Sequence, residues 1–340
     1  MCKLNFIFLI FLIAACSKKD DAVPTQSQMD FAYERIKFNC TYEKDILPVL
    51  DKDADQLYKY ALYLNQKKGN KKYDEIATYY RIAAAHGHYK AATNLQTLLS
   101  RGLAASPNAP KEVIDLVEKF IAENIPGAYY DMAHYLEKGY GVKQDLPASK
   151  AYFRHAADLG DPDAQYYVAQ LLSEIPNTAD VTQAMYKCAM EQGNRPAGIY
   201  YASYLKVLGQ YADAVNGYHT AIRNGDSGGA RNLARAFEGP PPSEELYYMA
   251  LQRDEERVKR LDKINMFLSR HEHLGAKVPD LDDIVPLPPA PLPEWDGTFK
   301  WKRDRDSAAP PSPPSEELIQ RMAAEKNLDP ETGLPLPASK

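Results

Sequence analysis

The sequence predicts an all-α fold, a right-handed α-solenoid of helix-turn-helix repeats that ends in a capping helix and an extended proline-rich strap. Three observations predict it. Small residues recur at matching positions with a period of about 33 to 38 residues, the length of a helix-turn-helix unit. Apolar residues between these positions follow helical spacing. Finally, Gly239-Pro240-Pro241-Pro242 interrupts the helical pattern and a proline-rich region follows.

The repeat is clearest between Ala128 and Ala164. Ala128, Met132 and Ala133 fall on one face of a first helix, and Gly160 ends a second helix. Helices with contact residues this small can pack closely. The pair that ends the second helix recurs at Ala83-Ala84, Ile121-Ala122, Ala156-Ala157, Ala189-Met190 and Ala221-Ile222, and glycine follows three residues later at Gly87, Gly160, Gly193 and Gly225.

We predict five repeats and a truncated sixth over residues 54–238. The second copy has Ile125 in place of the glycine, so Pro126-Gly127 is predicted to make that turn. The alternative, an Ala-rich helical bundle, does not explain five copies in register. The repeats begin near Ala54, Ala91, Ala128, Ala164 and Ala197, and the truncated sixth runs from Ala230 to Phe237.

The block from Ala128 to Ala164 resembles the Sel-one-like repeat (SLR), a relative of the tetratricopeptide repeat. The resemblance rests on the Gly139-Tyr140-Gly141-Val142 turn, the Lys150-Ala151 pair and the Ala156-Ala157-x-x-Gly160 ending. The other copies match more loosely because they lack the Gly-x-Gly-Val turn. The resemblance implies a protein-binding scaffold and no chemistry.

The inner face of the solenoid is the predicted partner-binding surface. Tyrosine is abundant, with 24 in the chain, and this residue type is enriched in binding surfaces. Individual tyrosines are also explained as repeat core, and that alternative stays open for each one. Taken literally, the tetratricopeptide resemblance implies that the inner face carries Tyr58, Thr93, Tyr130, His134, Tyr166, Gln170, Ile199 and Ser203.

Residues 243–302 are predicted to form a capping helix followed by a strap. Ser243 supplies a helix cap, and an apolar stripe at Val258, Leu261, Ile264 and Leu268 marks a helix that ends near Gly275. The region 278–301 is extended by its prolines and holds both tryptophans, Trp295 and Trp301. It either packs back on the solenoid or serves as a docking peptide for the partner.

Residues 303–340 are predicted to be disordered, because they are rich in proline, serine and glutamate. A short helix from Ser315 to Glu325 is the one element expected within them. No apolar pattern long enough for a further repeat is present there.

The first 15 residues are predicted to be a signal peptide, with Lys3 followed by the apolar run Phe6–Ile13. The ending Leu12-Ile13-Ala14-Ala15-Cys16 resembles the bacterial lipobox, which implies lipidation of Cys16. By the same resemblance, Ser17 at the next position implies that the protein is anchored in the inner, periplasmic leaflet of the outer membrane. Residues 16–30 are then a flexible tether and residues 31–53 an N-terminal segment. The alternative is an ordinary secreted protein with Cys16 as an incidental thiol.

Charge and chemistry exclude several classes of partner. The net charge of −5 disfavours nucleic acid, which requires a basic surface. Histidines two residues apart, at His86/His88 and His271/His273, point to opposite sides of a helix, so no metal site is predicted. No nucleophile, phosphate-loop or zinc-hydrolase motif is present. We therefore predict no enzyme activity, no cofactor and no small-molecule substrate.

Cys40 and Cys188 are the two cysteines left after signal-peptide removal and lipidation of Cys16. In an oxidising compartment they form either one disulfide or two separate buried thiols. The sequence leaves both alternatives open.

The chain as a whole resembles a group of proteobacterial SLR lipoproteins with an uncharacterised C-terminal domain. The resemblance is carried by the lipobox, the repeats, the junction 83–91, and the endings Pro279–Ala290 and Trp295–Trp301. Members of this group resemble immunity proteins for type VI secretion lipase effectors. The leading hypothesis is therefore a lipid-anchored immunity protein that binds a secreted lipase, and the alternative is a periplasmic adaptor for envelope or signalling complexes.

Overall fold

The computed structural model describes residues 36–337, so the predicted signal peptide, Cys16 and the tether lie outside the described residues. This range is all-α, as predicted, with one isolated β-bridge between Leu328 and Pro335. No helix within it is both long and apolar enough to cross a membrane. The helices are α1 Lys52–Gln66, α2 Tyr73–Ala85, α3 Tyr89–Ser100, α4 Ala109–Ala122, α5 Pro126–Lys138, α6 Leu146–Asp158, α7 Pro162–Ser173, α8 Ala179–Glu191, α9 Ala197–Val207, α10 Tyr211–Arg223, α11 Ser227–Phe237, α12 Glu255–His271, α13 Lys300–Ser307 and α14 Glu316–Glu325.

The first ten helices form five hairpins, α1/α2 to α9/α10, and each helix packs mainly on its neighbours in sequence. The predicted small residues lie at these contacts. An added Cβ at Gly198 of α9 would lie 2.8 Å from Ala221 Cβ of α10, and one at Gly217 would lie 2.9 Å from Ala202 Cβ. Such close approach buries each helix against the next, and the predicted solenoid of stacked hairpins is confirmed.

The turn that joins one hairpin to the next is a helix end with a left-handed residue. Gly87, for example, has φ of 83°, its N–H donates to Ala84 O, and the N–H of His88 donates to Ala83 O. In the second copy Asn124 takes this role with φ of 56°. Asparagine tolerates the left-handed region. The prediction that Pro126-Gly127 makes this turn is therefore wrong; Pro126 is already the first residue of α5.

The sixth hairpin is completed rather than truncated. Leu233 and Phe237 of α11 share a buried apolar cluster with Leu261, Ile264 and Leu268 of α12. The capping helix thus occupies the place of a second repeat helix, after a long connection instead of a short turn. Its cap is Asp254, whose side chain accepts from Arg257 N–H, so the predicted helix start at Ser243 is wrong. Residues 239–254 contain no regular helix.

The strap packs back on the solenoid, one of the two alternatives that the sequence left open. Val278, Ile284 and Val285 are buried, and the ring of Phe299 stacks on Phe267 of α12 with centroids 3.9 Å apart. A proline-rich strap has few backbone N–H donors and does not form an α-helix or sheet, so its carbonyls need donors from elsewhere. The guanidinium groups of α12 satisfy several of them instead: Arg257 donates to Pro286 O and Ala290 O, and Arg260 donates to Ile284 O and Pro293 O.

The C-terminal tail is ordered and returns to the first hairpins, so the predicted disorder of residues 303–340 is wrong within the described part. Residues 308–311 run beside α1, and α14 then packs on α2. Met322, Ala323 and Leu328 are buried in the core of the first repeats. The predicted helix 315–325 is confirmed. Composition alone missed the order because these apolar residues are covered by helices more than 200 residues earlier.

Polar contacts fix the tail in one register. Thr78 Oγ1 donates to Glu331 O at 2.9 Å, and Arg81 Nη1 donates to Thr332 O at 3.0 Å. His86 Nε2 lies 2.9 Å from Met322 O. The side chains of α2 thus pair with carbonyls of the returning chain, as buried polar groups require.

The N-terminal segment crosses the middle of the solenoid before α1 begins. Cys40 is bonded to Cys188 of α8, with Cα atoms 5.7 Å apart, so the disulfide is present in the structure. The carbonyl oxygen of Thr41 accepts from Gln165 Nε2 at 3.0 Å and from Gln192 Nε2 at 3.3 Å. These contacts hold the segment over the turns that join the third, fourth and fifth hairpins.

Candidate functional site: the inner face of the repeats

A cavity of about 400 Å³ opens where the first helices of successive hairpins lie side by side. Three of the predicted inner-face residues, Tyr58 of α1, Thr93 of α3 and Tyr130 of α5, line it. The same cavity is lined by residues that the prediction did not include: Glu43, Tyr89, Asp131, Asp161 and Asp163. We call it the acidic cavity, and these eight residues define it.

The aromatic wall of the acidic cavity is held by a buried histidine. The Tyr58 ring stacks on His88 with centroids 4.3 Å apart. His88 is fully buried and caps α3, because its Nδ1 accepts from Ala91 N–H at 3.1 Å. Burial lowers the pKa of His88, although Asp55, whose Oδ1 lies 3.5 Å from Nε2, opposes the shift. The ring is thus a neutral cap that fixes the position of Tyr58.

The carboxylates of the acidic cavity are held by neutral donors. Asp161 caps α7 by accepting from Ala164 N–H at 2.7 Å, and Asp163 accepts from Asn194 Nδ2 at 2.7 Å. Gln96, which lowers the pKa of the neighbouring Asp131, accepts from Tyr135 Oη at 3.0 Å. Across residues 36–337, no Lys or Arg forms an ion pair with Asp131, Asp161 or Asp163.

Burial without a counter-ion changes the titration of these groups. Burial raises the pKa of Asp131 to about 7. It also raises the pKa of Asp161 well above the usual range, with further contributions from Asp163 and Glu43. Burial and the charge of Asp163 raise the pKa of Glu43, while Lys90 lowers it. The cavity therefore gathers four carboxyl groups, and burial favours the protonated form of three of them, Glu43, Asp131 and Asp161, because the cost of a buried negative charge is not offset by an ion pair.

A second tyrosine cluster continues the inner face at the fourth and fifth hairpins. Tyr166 of α7, Tyr186 of α8 and Tyr200 of α9 form a triangle with ring centroids 5.3 to 5.9 Å apart. Tyr200 is 45% exposed, whereas Tyr186 is buried. The triangle is thus a rigid aromatic surface with one ring open to solvent.

The remaining predicted residues are more internal. His134 packs between Tyr130 and Phe153, with its Nδ1 3.2 Å from Glu137 Oε2. Ser203 Oγ lies 2.8 Å from Tyr218 Oη, so its hydroxyl is used within the fifth hairpin. Ile199 packs against the buried cluster of the last hairpins. Gln170 is half-buried on α7. Whether any of these residues contacts a partner stays a prediction.

The cavity and triangle residues that the sequence analysis missed differ in how far the sequence could have indicated them. Asp131 and Tyr200 each follow a predicted residue directly, Tyr130 and Ile199, so a wider strip of the same repeat register contains them. Asp161 and Asp163 lie at the start of α7, where the sequence indicates a helix-capping role rather than a place on a binding surface. Glu43 has no local signal, since only the disulfide-linked crossing of the N-terminal segment brings it there.

In the part of the chain that the structure describes, no group of three or more His, Cys, Asp or Glu side chains is placed to hold a metal ion. The paired histidines act locally: His88 caps α3, and His271 Nδ1 lies 2.8 Å from Phe267 O. The inner face thus offers contact area, aromatic rings and charge.

The structure is similar to solved immunity and repeat proteins. Immunity protein PA5088 of Pseudomonas aeruginosa is 28% identical with a TM-score of 0.59, and the match covers 75% of this chain and 95% of that one. Immunity protein Pa5087 of the same organism is 29% identical with a TM-score of 0.57, over 75% and 96% of the two chains. A Sel1 repeat protein from Oxalobacter formigenes, 20% identical with a TM-score of 0.50 over 64% and 88%, shares the fold.

Sequence comparisons add the C-terminal part. Residues 229–336 match a family described as a domain of unknown function, DUF6396, and a search of curated proteins finds no significant match. The matched range begins within α11 and runs through α12, the strap and the tail, so it treats the returning tail as part of one unit with the last hairpin. The chain therefore has the Sel1-type helical-repeat fold with a DUF6396-like C-terminal region, and is similar to the immunity proteins of Pseudomonas aeruginosa.

Proposed function

We propose that this chain is an immunity protein that is anchored in the periplasm through lipidated Cys16 and neutralises a type VI secreted phospholipase or lipase by binding it. One observation carries the proposal: three quarters of the chain aligns with nearly the full length of the immunity proteins PA5088 and Pa5087. The lipase as target and the lipid anchor rest on the sequence resemblance and the lipobox.

The inner face supports a binding mechanism. Neutralisation requires nanomolar or tighter affinity, about 12 kcal/mol or more, over an interface of about 1,600 Å². Most residues of the acidic cavity and of the tyrosine triangle belong to first helices of successive hairpins, from α1 to α9; Tyr186 of α8 and Glu43 of the N-terminal segment are exceptions. These surfaces are preorganised, because capped turns, the disulfide and the tail fix the repeats that carry them. Preorganisation lowers the entropic cost of binding.

The decisive experiment pairs the chain with a type VI secreted lipase, chosen from the neighbouring genes of its own genome. The lipase is exported to the periplasm of a host cell, alone or with this chain, and survival and membrane phospholipid are measured. We expect the lipase to kill the host and the chain to restore survival. Purified full-length chain should bind the lipase in a calorimetric titration. Toxicity that persists despite equal expression, together with no measurable binding, contradicts the proposal.

The anchor is tested separately with Cys16→Ser. We expect wild-type protein to incorporate palmitate and to fractionate with outer membranes, and the variant to lose both properties. Cys2→Ser is the matched control, because Cys2 lies in the predicted signal peptide and outside the lipobox, and it leaves the bond between Cys40 and Cys188 intact. Membrane fractionation of Cys16→Ser equal to that of wild type would show that Cys16 is not the anchor.

A further inference from the structure

We propose that the acidic cavity receives a basic side chain, Lys or Arg, that projects from the bound partner. The inference rests on the proposed function, since it names the chemistry of the partner segment that enters the site. It concerns the surface between α1, α3 and α5, and not the tyrosine triangle.

The first argument is charge. Glu43, Asp131, Asp161 and Asp163 line one cavity, and among the described residues that line it Lys90 is the one basic residue. The N-termini of α5 and α7 face the same region, and their dipoles offset part of the negative charge. They provide no counter-ion. Asp161 is buried, Glu43 and Asp131 are half-buried and Asp163 is exposed at the mouth. A cation delivered by a partner would be covered together with these carboxylates on binding, and such a pair is stronger than one at an exposed surface.

The second argument is the shape and chemistry of the walls. Tyr58, Tyr89 and Tyr130 stand beside the carboxylates, so a long side chain can place its methylene groups on rings and its charge on oxygen. One cation–π contact of this kind is present: Lys90 Nζ lies 5.8 Å from the Tyr89 ring centroid. The volume of about 400 Å³ accommodates one side chain together with part of the segment that carries it.

The third argument concerns the alternatives. A bound metal ion does not fit, since no three of these carboxylates converge on one point within the described residues. A neutral or acidic partner segment would cover these carboxyl groups further without supplying a positive charge, which costs free energy when they are ionised. Burial raises the pKa values of Asp131 and Asp161, as expected of carboxylates that lack a cation.

The test uses small cations as probes of the cavity in the full-length chain. n-Butylguanidinium and n-butylammonium mimic the two basic side chains, and n-butylurea is their neutral control. In NMR titrations we expect both cations to shift resonances of the cavity tyrosines and n-butylurea to leave them unchanged. Asp131→Asn and Asp163→Asn should weaken cation binding about tenfold each. Asn at position 163 can still accept from Asn194 Nδ2, and Asn has nearly the size of Asp at both positions. Asp180→Asn, on the exposed start of α8, is the matched control.

The lipase provides the second arm. We expect the double variant Asp131→Asn/Asp163→Asn to bind it at least about tenfold more weakly and with less dependence on salt concentration than wild type. If the lipase binds wild type and double variant equally, the inference is overturned while the proposed function stands. If no lipase binds wild type but the cations bind the cavity, the proposed function fails and the affinity of the cavity for basic groups is retained. Absence of cation binding overturns the inference regardless of the lipase.

Discussion

Removal of the disulfide is the sharpest test of how the chain is held together. The bond joins residues 148 positions apart, so it closes a loop around the first three hairpins and most of the fourth. For a loop of that length the chain-entropy model gives about 17 cal/mol/K, or about 5 kcal/mol at 25 °C. Measured values are commonly about 2 to 4 kcal/mol, because unfolded chains retain structure. We expect a loss of unfolding free energy in that range.

The assay is urea unfolding followed by circular dichroism, with wild type compared in oxidising and reducing buffer. Cys40→Ala/Cys188→Ala is the matched control, because it should be as unstable as reduced wild type and should not respond to reductant. Hydrogen exchange of residues 41–47 should accelerate in reduced wild type and in the alanine variant, since hydrogen bonds such as those from Gln165 and Gln192 to Thr41 O then hold the segment without a covalent bond. A difference below about 1 kcal/mol between oxidised and reduced wild type would refute the loop-closure reasoning.

Three further predictions test the packing and the titration. Gly160→Ala should destabilise the protein by about 2 kcal/mol or more, because the added Cβ would lie 2.7 Å from Glu43 N. Gly87→Ala has open space around the added Cβ and should cost only about 1 kcal/mol, so equal urea midpoints of the two variants would contradict this prediction. Met322→Ala should cost about 2 to 3 kcal/mol and expose α14 to hydrogen exchange, and no change would mean that the tail is not packed. The pKa of Asp131 is raised to about 7 in the folded state, so wild type should lose unfolding free energy as pH rises from about 4 to 7. The loss is at most about 4 kcal/mol, and smaller because this carboxyl is partly exposed. Asp131→Asn should lack this pH dependence, and parallel pH profiles of the two proteins would rule the prediction out.

The repeat architecture was predictable because the pattern of small and turn residues is local and recurs in five copies. Small residues such as Ala156-Ala157 and Gly160 must recur wherever helices of one hairpin approach the next. The exception, at Asn124, shows the limit of that signal: a left-handed turn depends on backbone geometry, and asparagine satisfies it without matching the glycine pattern.

The inner face was predictable in part. The repeat register placed Tyr58, Thr93 and Tyr130 around one cavity, because residues at equivalent positions of stacked helices are neighbours. The register did not predict Glu43, since that residue reaches the cavity only through the crossing segment that Cys40 attaches to α8. The negative charge of the site is thus a property of several distant segments together.

The sequence by itself determined the helices, their order and their stacking, because helical periodicity, small contact residues and turn residues act over a few positions along the chain. Only the tertiary structure decided where the chain returns on itself: the disulfide across the fourth hairpin, α12 as the second helix of the sixth, and α14 on α2. These contacts join residues from tens to more than 200 positions apart. The composition of one segment, such as the C-terminal tail, does not show which distant helices will cover it. Met322 and Leu328 are too few apolar residues to predict order alone, yet they are buried once the first hairpins supply the surface that covers them.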